Sequence, residues 1–347
     1  MSEVISECKR VLVIGALNVS PADRVIDRGA LRSLQLIDER NAMRPLPFFD
    51  AWGEIGMSSL SWHPRDPFIL YLASDCEVFK FCLRTQTYVR LDIDGLGDIH
   101  EMSVIGDKIW ITNTRHDQIV GYDLRTGTVS DRVCLADLRS GALETPDCEP
   151  DSAVIDRFHC NQVFQSYDGN LCVLAHALSG RQLAKKVGKV VIKISAHDGG
   201  VADMTKHESH KLGLRSPHSV RLINGDYWVF DSARFKLSVF DREWNFIRAI
   251  DTRGFGRGGD LDAERGLYYA GVSATRKRYL GLLPGGESVP NMVQVFDTKT
   301  YAELGSIRIP NVEQILNVYC LDREVADALM DFAGRPPSRA RAATREG

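Results

Sequence analysis

Three histidines, His100, His159 and His218, stand 59 residues apart, each at the head of a short apolar stretch. Neutral imidazole is the commonest transition-metal ligand. Three of them with one open position suit a divalent ion such as zinc, manganese, iron or nickel. Gln314 heads a similar stretch near the C-terminus and offers a weaker fourth ligand. Arg115, Arg234, Arg257 and Arg276 lie at the ends of neighbouring stretches. Their planar guanidinium forks fit a carboxylate or a phosphate. Glu101 and His176 are the acid/base candidates beside them. The bland alternative stays open: each imidazole fills a polar niche and bonds a backbone carbonyl, and each arginine pairs with a carboxylate such as Asp98 or Asp231.

Side chains this far apart in sequence act together only if a repeating fold gathers them, and the chain does repeat. A short alternating strand ending in an acidic or small residue recurs at 33–38, 77–82, 118–123, 190–195, 236–241 and 292–297, usually followed by a turn. Before most copies lie two more strands, for instance 100–104 with 109–112 and 218–222 with 227–230. Hairpin signals such as Asn224-Gly225-Asp226 join them. Four strands per unit at a spacing of about 40–50 residues is the pattern of a β-propeller blade. Six units are counted, and seven stay open if an insertion hides one. The first unit opens on Val11-Leu12-Val13-Ile14, a second-strand pattern, so 314–319 is expected to supply its innermost strand and close the ring.

The expected fold is therefore all-β, a single propeller over 1–322. A short helix and a disordered basic tail carrying Arg335, Arg339, Arg341 and Arg345 are expected over 323–347. Insertions at 135–157 and 279–290 read as surface loops. In this register the three histidines occupy one repeat position, at the strand starts that crowd the channel mouth, and the ends of the second strands bring the arginines to the same mouth.

The chain has 347 residues, 44 % hydrophobic and 26 % charged, with a net charge of −3. That balance is globular, and no global positive field recruits nucleic acid or an acidic membrane. No apolar run approaches the roughly 18 residues of a spanning helix. The N-terminus lacks a signal-peptide pattern, and eight scattered cysteines without a CxxC pair point to reduced thiols and a cytoplasmic setting. The run 254–259 is glycine-rich but lacks the Lys-Ser/Thr ending of a phosphate loop, so it reads as an inter-blade turn. His207 and His210 read as solvated residues of a polar connector. Ser232 lacks the context of a serine nucleophile.

The motifs Asp98-Ile99-His100-Glu101-Met102, Phe158-His159-Cys160-Asn161 and Ser216-Pro217-His218-Ser219 resemble a bacterial family of propeller-like conserved hypothetical proteins of unknown function. The resemblance runs from about residue 57 to 322 and implies the propeller fold without a chemistry. Three histidines and a glutamine at a propeller mouth are also similar, as a constellation only, to oligogalacturonate lyase, where a divalent metal binds an acidic sugar.

Two functions follow. In the first, a divalent metal on His100, His159, His218 and Gln314 serves an enzyme acting on a small anionic molecule bearing a carboxylate or phosphate, sugar derivatives among the candidates. The four arginines bind the anion and Glu101 or His176 moves protons. Elimination or isomerisation suits this set better than hydrolysis. In the second, the propeller is a scaffold that binds a protein or other ligand.

Overall fold

Strands that alternate apolar and polar residues hide one face only by stacking sheet on sheet, and here they do so around a ring. The computed structural model describes residues 5–135, 156–179, 183–187, 190–194, 198–276, 289–335 and 338–339. It is a six-bladed β-propeller of four-stranded antiparallel sheets. From the inner strand outward, the third blade is Ile99–Ile105, Lys108–Asn113, Gln118–Asp123 and Thr128–Cys134. The fifth is Pro217–Ile223, Asp226–Asp231, Lys236–Phe240 and Phe246–Asp251. The second and sixth blades begin on Ser59–His63 and Phe255–Asp262.

The first blade joins the two ends of the chain, as expected. Gln314–Asp322 pairs along Lys9–Ala16, which pairs in turn with Leu34–Ile37. Pairing the termini removes two open sheet edges, which otherwise invite intermolecular strand addition.

The fourth blade corrects the strand reading. Its inner strands are Cys160–Gln165 and Leu171–Ala175, but its third strand is Gly199–Asp203, not 190–195. Val190–Ile194 instead pairs with Leu183–Val187 as an inserted hairpin outside the blade. Asp198-Gly199-Gly200 has the composition of a turn after 190–195, yet both glycines are strand residues. At Gly200 a Cβ atom would come within 2.1 Å of His210 O in the outer strand Glu208–Leu214, so only glycine fits. His210 therefore lies in a strand, not in a connector, and stacks on Trp244 at 6.0 Å between ring centroids.

The glycine-rich run is likewise an inner strand, not a turn, for the same steric reason. A Cβ on Gly258 would meet Asn317 Oδ1 at 2.2 Å, and one on Gly256 would meet the Phe230 ring. The insertion expectations at 135–157 and 279–290 fall mostly on residues outside those described.

Large side chains fill the spaces between blades; Trp228, Phe230, Tyr268 and Phe296 form one such layer between the fifth and sixth. Each such burial contributes roughly 1.5–3 kcal/mol. After the last strand, Arg323–Gly334 is an α-helix whose buried Val325, Ala326, Leu329 and Phe332 pack on the first and second blades. Ser338–Arg339 then pairs in parallel with Thr87–Tyr88 at the outer edge of the second blade. Residues 340–347, with most of the expected basic tail, lie outside the described residues. Among the described residues no helix is long and apolar enough to cross a membrane. The seven cysteines among them are free.

A repeated hydroxyl strap fixes neighbouring blades at the mouth. Just past or at the end of the second strand in the third, fifth and sixth blades, Thr114 Oγ1 donates to Cys160 O (2.6 Å), Ser232 Oγ to Gly256 O (2.5 Å) and Ser273 Oγ to Ile315 O (3.1 Å). Each accepting carbonyl belongs to the inner strand of the next blade. Thr114→Val keeps the shape and removes this buried inter-blade donor to the Cys160 carbonyl, so a loss of about 1–2 kcal/mol is expected in urea denaturation.

Candidate functional site

The straps and strand registers align the blades residue by residue. Ile99 opposes Asn113, Cys160 opposes Ala175, Pro217 opposes Asp231, Gly256 opposes Val272 and Ile315 opposes Gly15. Immediately after each of these inner-strand residues a β-bulge places two residues opposite one. Bulges re-aim side chains and are common beside functional sites. Here they present the ring of His100, Asn161, His218, Arg257 and Leu316.

His159 does not occupy that position, which corrects the reading of one shared repeat position. It sits two residues earlier in its blade, level with Asp98, Ser216, Phe255 and Gln314. Asp98, His159 and Ser216 share a left-handed backbone there, with φ of 53°, 49° and 50°. That conformation is uncommon for non-glycine residues and is over-determined at His159. Asp117 accepts from Arg157 N and Phe158 N at 2.8–2.9 Å, and His159 O accepts from His176 N at 3.2 Å.

Despite the offset, the imidazoles converge. Ring centroids are 4.7 Å apart for His100 and His159, 4.3 Å for His159 and His176, 5.1 Å for His176 and His218, and 6.5 Å for His100 and His218. His176, placed by the sequence among the acid/base candidates, is thus the fourth member of the cluster. Asp98, His100 and His159 each present a ligand atom within 4.8 Å of the others, and they are the one such group among the described residues. Asp98 was named from sequence only as an arginine partner. An acidic residue two positions before a histidine is too common a pattern to have marked it.

Hydrogen bonds set the ring orientations. His159 Nδ1–H donates to Asp156 Oδ1 at 2.8 Å, which turns Nε2 toward the cluster. His218 Nδ1 lies 2.9 Å from both Ser216 O and Ser232 Oγ. Ser232 gives its only proton to Gly256 O, so both neighbours act as acceptors and Nδ1 carries the proton. The Nε2 lone pair then faces Arg257 Nη2 at 3.4 Å. Arg257 Nη1 and Arg276 Nη2 both donate to Gln314 Oε1, at 2.5 and 2.8 Å. Gln314 Nε2 donates to Asn18 Oδ1. Gln314 therefore engages arginines and Asn18.

The other expected site residues lie elsewhere. Arg234 donates to Asp231 Oδ2 (2.7 Å) and Gly213 O (2.9 Å), the bland alternative considered above. Arg115 is exposed, with its stem against Gly97. Glu101 occupies the next layer of the channel. Its Oε1 accepts from Arg221 Nη2 at 3.0 Å and Gln162 Nε2 at 3.1 Å, and Asn317 bonds the same carboxyl.

Burial disfavours protons on three of the mouth imidazoles, His100, His176 and His218. Burial first, and then the neighbouring rings and Arg257, push His176 and His218 well below the usual histidine range. Burial also lowers His100, against the pull of Asp98. Burial opposes ionisation of Asp98, yet His100, His159 and Arg257 hold it well below the usual carboxylate range. Arg257 is lowered to about 9 by burial and then by Arg276. One ionised carboxylate, Asp98, thus stands among imidazoles and beside two arginines, and Asp98, His100 and His159 are placed so that they could hold a metal ion.

No protein family and no curated protein matches the sequence. The fold has many solved relatives at low identity. A protein of unknown function from Bacteroides caccae is 12 % identical, with 90 % of this chain and 99 % of that one covered and a TM-score of 0.53. A chain from a nidogen/laminin complex is 10 % identical, with 90 % and 98 % covered and a TM-score of 0.52. A candidate 6-phosphogluconolactonase from Bacteroides fragilis is 12 % identical, with 91 % and 99 % covered and a TM-score of 0.50. These likenesses establish the propeller architecture, which hosts proteins of different kinds, and leave function to the mouth residues.

Proposed function

We propose that the protein is a metal-dependent enzyme acting on a small anionic molecule at the propeller mouth. The observation that carries this is the grouping of Asp98, His100 and His159 within a shared coordination distance, beside Arg257 and Arg276. Two imidazole nitrogens and one carboxylate oxygen suit manganese, iron, zinc or nickel and leave positions for substrate. When bound, such an ion supplies Lewis acidity toward a carbonyl or carboxylate oxygen.

The chain's own residues take the remaining roles. Arg257 and Arg276 hold the anionic group and stabilise negative charge that develops beside it. His176 is neutral and lies between His159 and His218, so its imidazole can take the proton from the carbon next to the carbonyl. Return of that proton to another position gives isomerisation, and departure of a β-substituent gives elimination. Glu101, bound by Arg221, Gln162 and Asn317, is assigned no proton transfer.

The test begins with protein stripped by a chelator. Cobalt titration followed by absorbance is expected to show one ion per chain. Proton NMR in heavy water, with hydroxy acids and uronic acids as probes, is expected to show metal-dependent loss of the signal α to the carboxylate. Failure to take up cobalt, zinc or manganese at micromolar concentration overturns the metal assignment. Metal uptake without exchange on any probe overturns the proton-abstraction chemistry.

A further inference from the structure

The third and fourth blades carry polar side chains in matching places. Asp98 and His100 flank Ile99, the inner-strand residue that opposes Asn113, and His159 and Asn161 flank Cys160, which opposes Ala175. The match extends to the backbone. Asp98 and His159 share a left-handed φ of 53° and 49°, and a β-bulge follows Ile99 and Cys160 alike. The fifth, sixth and first blades do not repeat the pattern, for they carry Ser216 with His218, Phe255 with Arg257, and Gln314 with Leu316. Asp98, His100 and His159 present ligand atoms within 4.8 Å of one another. The fourth of the matched residues, Asn161, is 2 % exposed and has one end of its carboxamide tied. Nδ2 donates to Pro217 O in the next blade, which fixes the orientation of the amide and leaves Oδ1 as an acceptor. That oxygen is buried and has no hydrogen-bond partner among the described residues. The next residue shows the contrast: Gln162 Oε1 accepts from Val220 N, and its Nε2 donates to Glu101 Oε1. A buried acceptor left open costs about 1–3 kcal/mol, so Asn161 Oδ1 is held ready for something the chain itself does not supply.

We infer that Asn161 Oδ1 is a further protein ligand of the proposed ion, so that each of two neighbouring blades contributes a pair, Asp98 with His100 and His159 with Asn161. This rests on the metal reading above and extends it to the choice of ion. Two imidazole nitrogens with two oxygen donors, one charged and one neutral, suit manganese or ferrous iron. Four protein ligands fill the tetrahedron that zinc prefers, whereas a six-coordinate ion keeps two positions for substrate. The bond from Nδ2 to Pro217 O helps, because an amide polarised at its N–H end carries more negative charge on its oxygen. Gln314, the amide ligand expected from sequence, is engaged by Arg257, Arg276 and Asn18. Asn161 is the amide whose oxygen the fold leaves open.

Cobalt titrations followed by visible absorbance compare the native chain with Asn161→Leu and Asn161→Asp. Asn161→Leu keeps the size and removes the oxygen. Its cobalt affinity is expected to fall at least about tenfold, with a shift of the visible bands. Asn161→Asp keeps a ligand oxygen, adds a charge and cannot donate to Pro217 O. Its metal-free melting temperature is expected to drop, while its cobalt affinity rises at least about tenfold. A role confined to blade packing predicts the opposite pattern, with stability and cobalt affinity falling together in both variants, and that result overturns the inference. Native affinity in Asn161→Leu, the outcome if a fixed water alone satisfies Oδ1, overturns it as well. One measurement needs no variant. In native protein labelled with ¹⁵N at asparagine, cobalt is expected to move one side-chain amide pair far outside the ordinary range, by contact through its carbonyl. If every pair stays in range, Asn161 is not a ligand, whether or not the variants fold. Absence of cobalt uptake by the native protein removes the metal reading and this ligand with it, whereas uptake that ignores Asn161→Leu removes this ligand alone.

Discussion

Replacing Arg221 by methionine is expected to cost the protein about 3–5 kcal/mol, enough to move the urea midpoint visibly at neutral pH. Arg221 closes the channel beneath the mouth. It donates to Glu101 Oε1 and to Val220 O, both at 3.0 Å, and its charge also faces Asp260 and the Tyr268 and Tyr319 rings. Glu101 and Asp260 are buried carboxyls that burial pushes up and that Arg221 pulls down. Without the guanidinium they keep only neutral donors (Gln162 and Asn317 for Glu101, the Leu261 and Cys320 N–H groups for Asp260), and much of the desolvation cost of their charge goes uncompensated. The sign of the pH dependence follows for Asp260. Its carboxyl rises further above the unfolded value in Arg221→Met. The stability retained below the unfolded value is then lost as pH increases through the folded one. The deficit should therefore be small near pH 4 and largest above pH 7. A deficit independent of pH would show instead that Arg221 acts through packing of its stem. Changing Arg221 to Met and Glu101 to Leu together should recover part of the loss, because removing both partners is much less costly than stranding one.

Much of this channel was legible in the sequence. The blade count followed from alternation and turns, because a strand half-buried between two sheets must show a two-residue period. Ring closure by 314–319 followed from an opening segment that lacked its partner. The bulges were not legible. They set two consecutive residues opposite one, so His100 reaches the mouth while Glu101, its neighbour in sequence, enters the layer below. Simple alternation says nothing of that split.

The equal spacing of the three histidines also misled. The interval from His100 to His159 contains the 135–157 insertion, and that from His159 to His218 contains the extra hairpin Leu183–Val187 with Val190–Ile194. Two unrelated additions produced equal numbers, and only the strand registers show that His159 stands level with Asp98. The third strand of the fourth blade was missed for a related reason. Val190–Ile194 has the stronger β-forming composition, yet Gly199–Asp203 fits under His210 where side chains do not. Close packing overrode propensity there.

His159→Ala is expected to weaken cobalt binding by more than about a hundredfold, and Asp156→Asn by about 10–100-fold, with the fold unchanged in circular dichroism. The first change removes one of three protein ligands. The second keeps the ligand and removes the carboxylate that holds Nδ1–H at 2.8 Å. A carboxylate in that place fixes the tautomer, orients the ring and makes Nε2 a stronger donor, and an amide does these less well. The pair therefore separates coordination from positioning. His210→Ala, on the outer strand of the fourth blade, removes an imidazole far along the sheet from the mouth and should leave cobalt affinity unaltered. If Asp156→Asn binds cobalt as the native protein does while His159→Ala does not, His159 coordinates without orientation by Asp156. If both retain native affinity, the metal does not rest on His159, and the strained backbone at that residue serves blade packing alone.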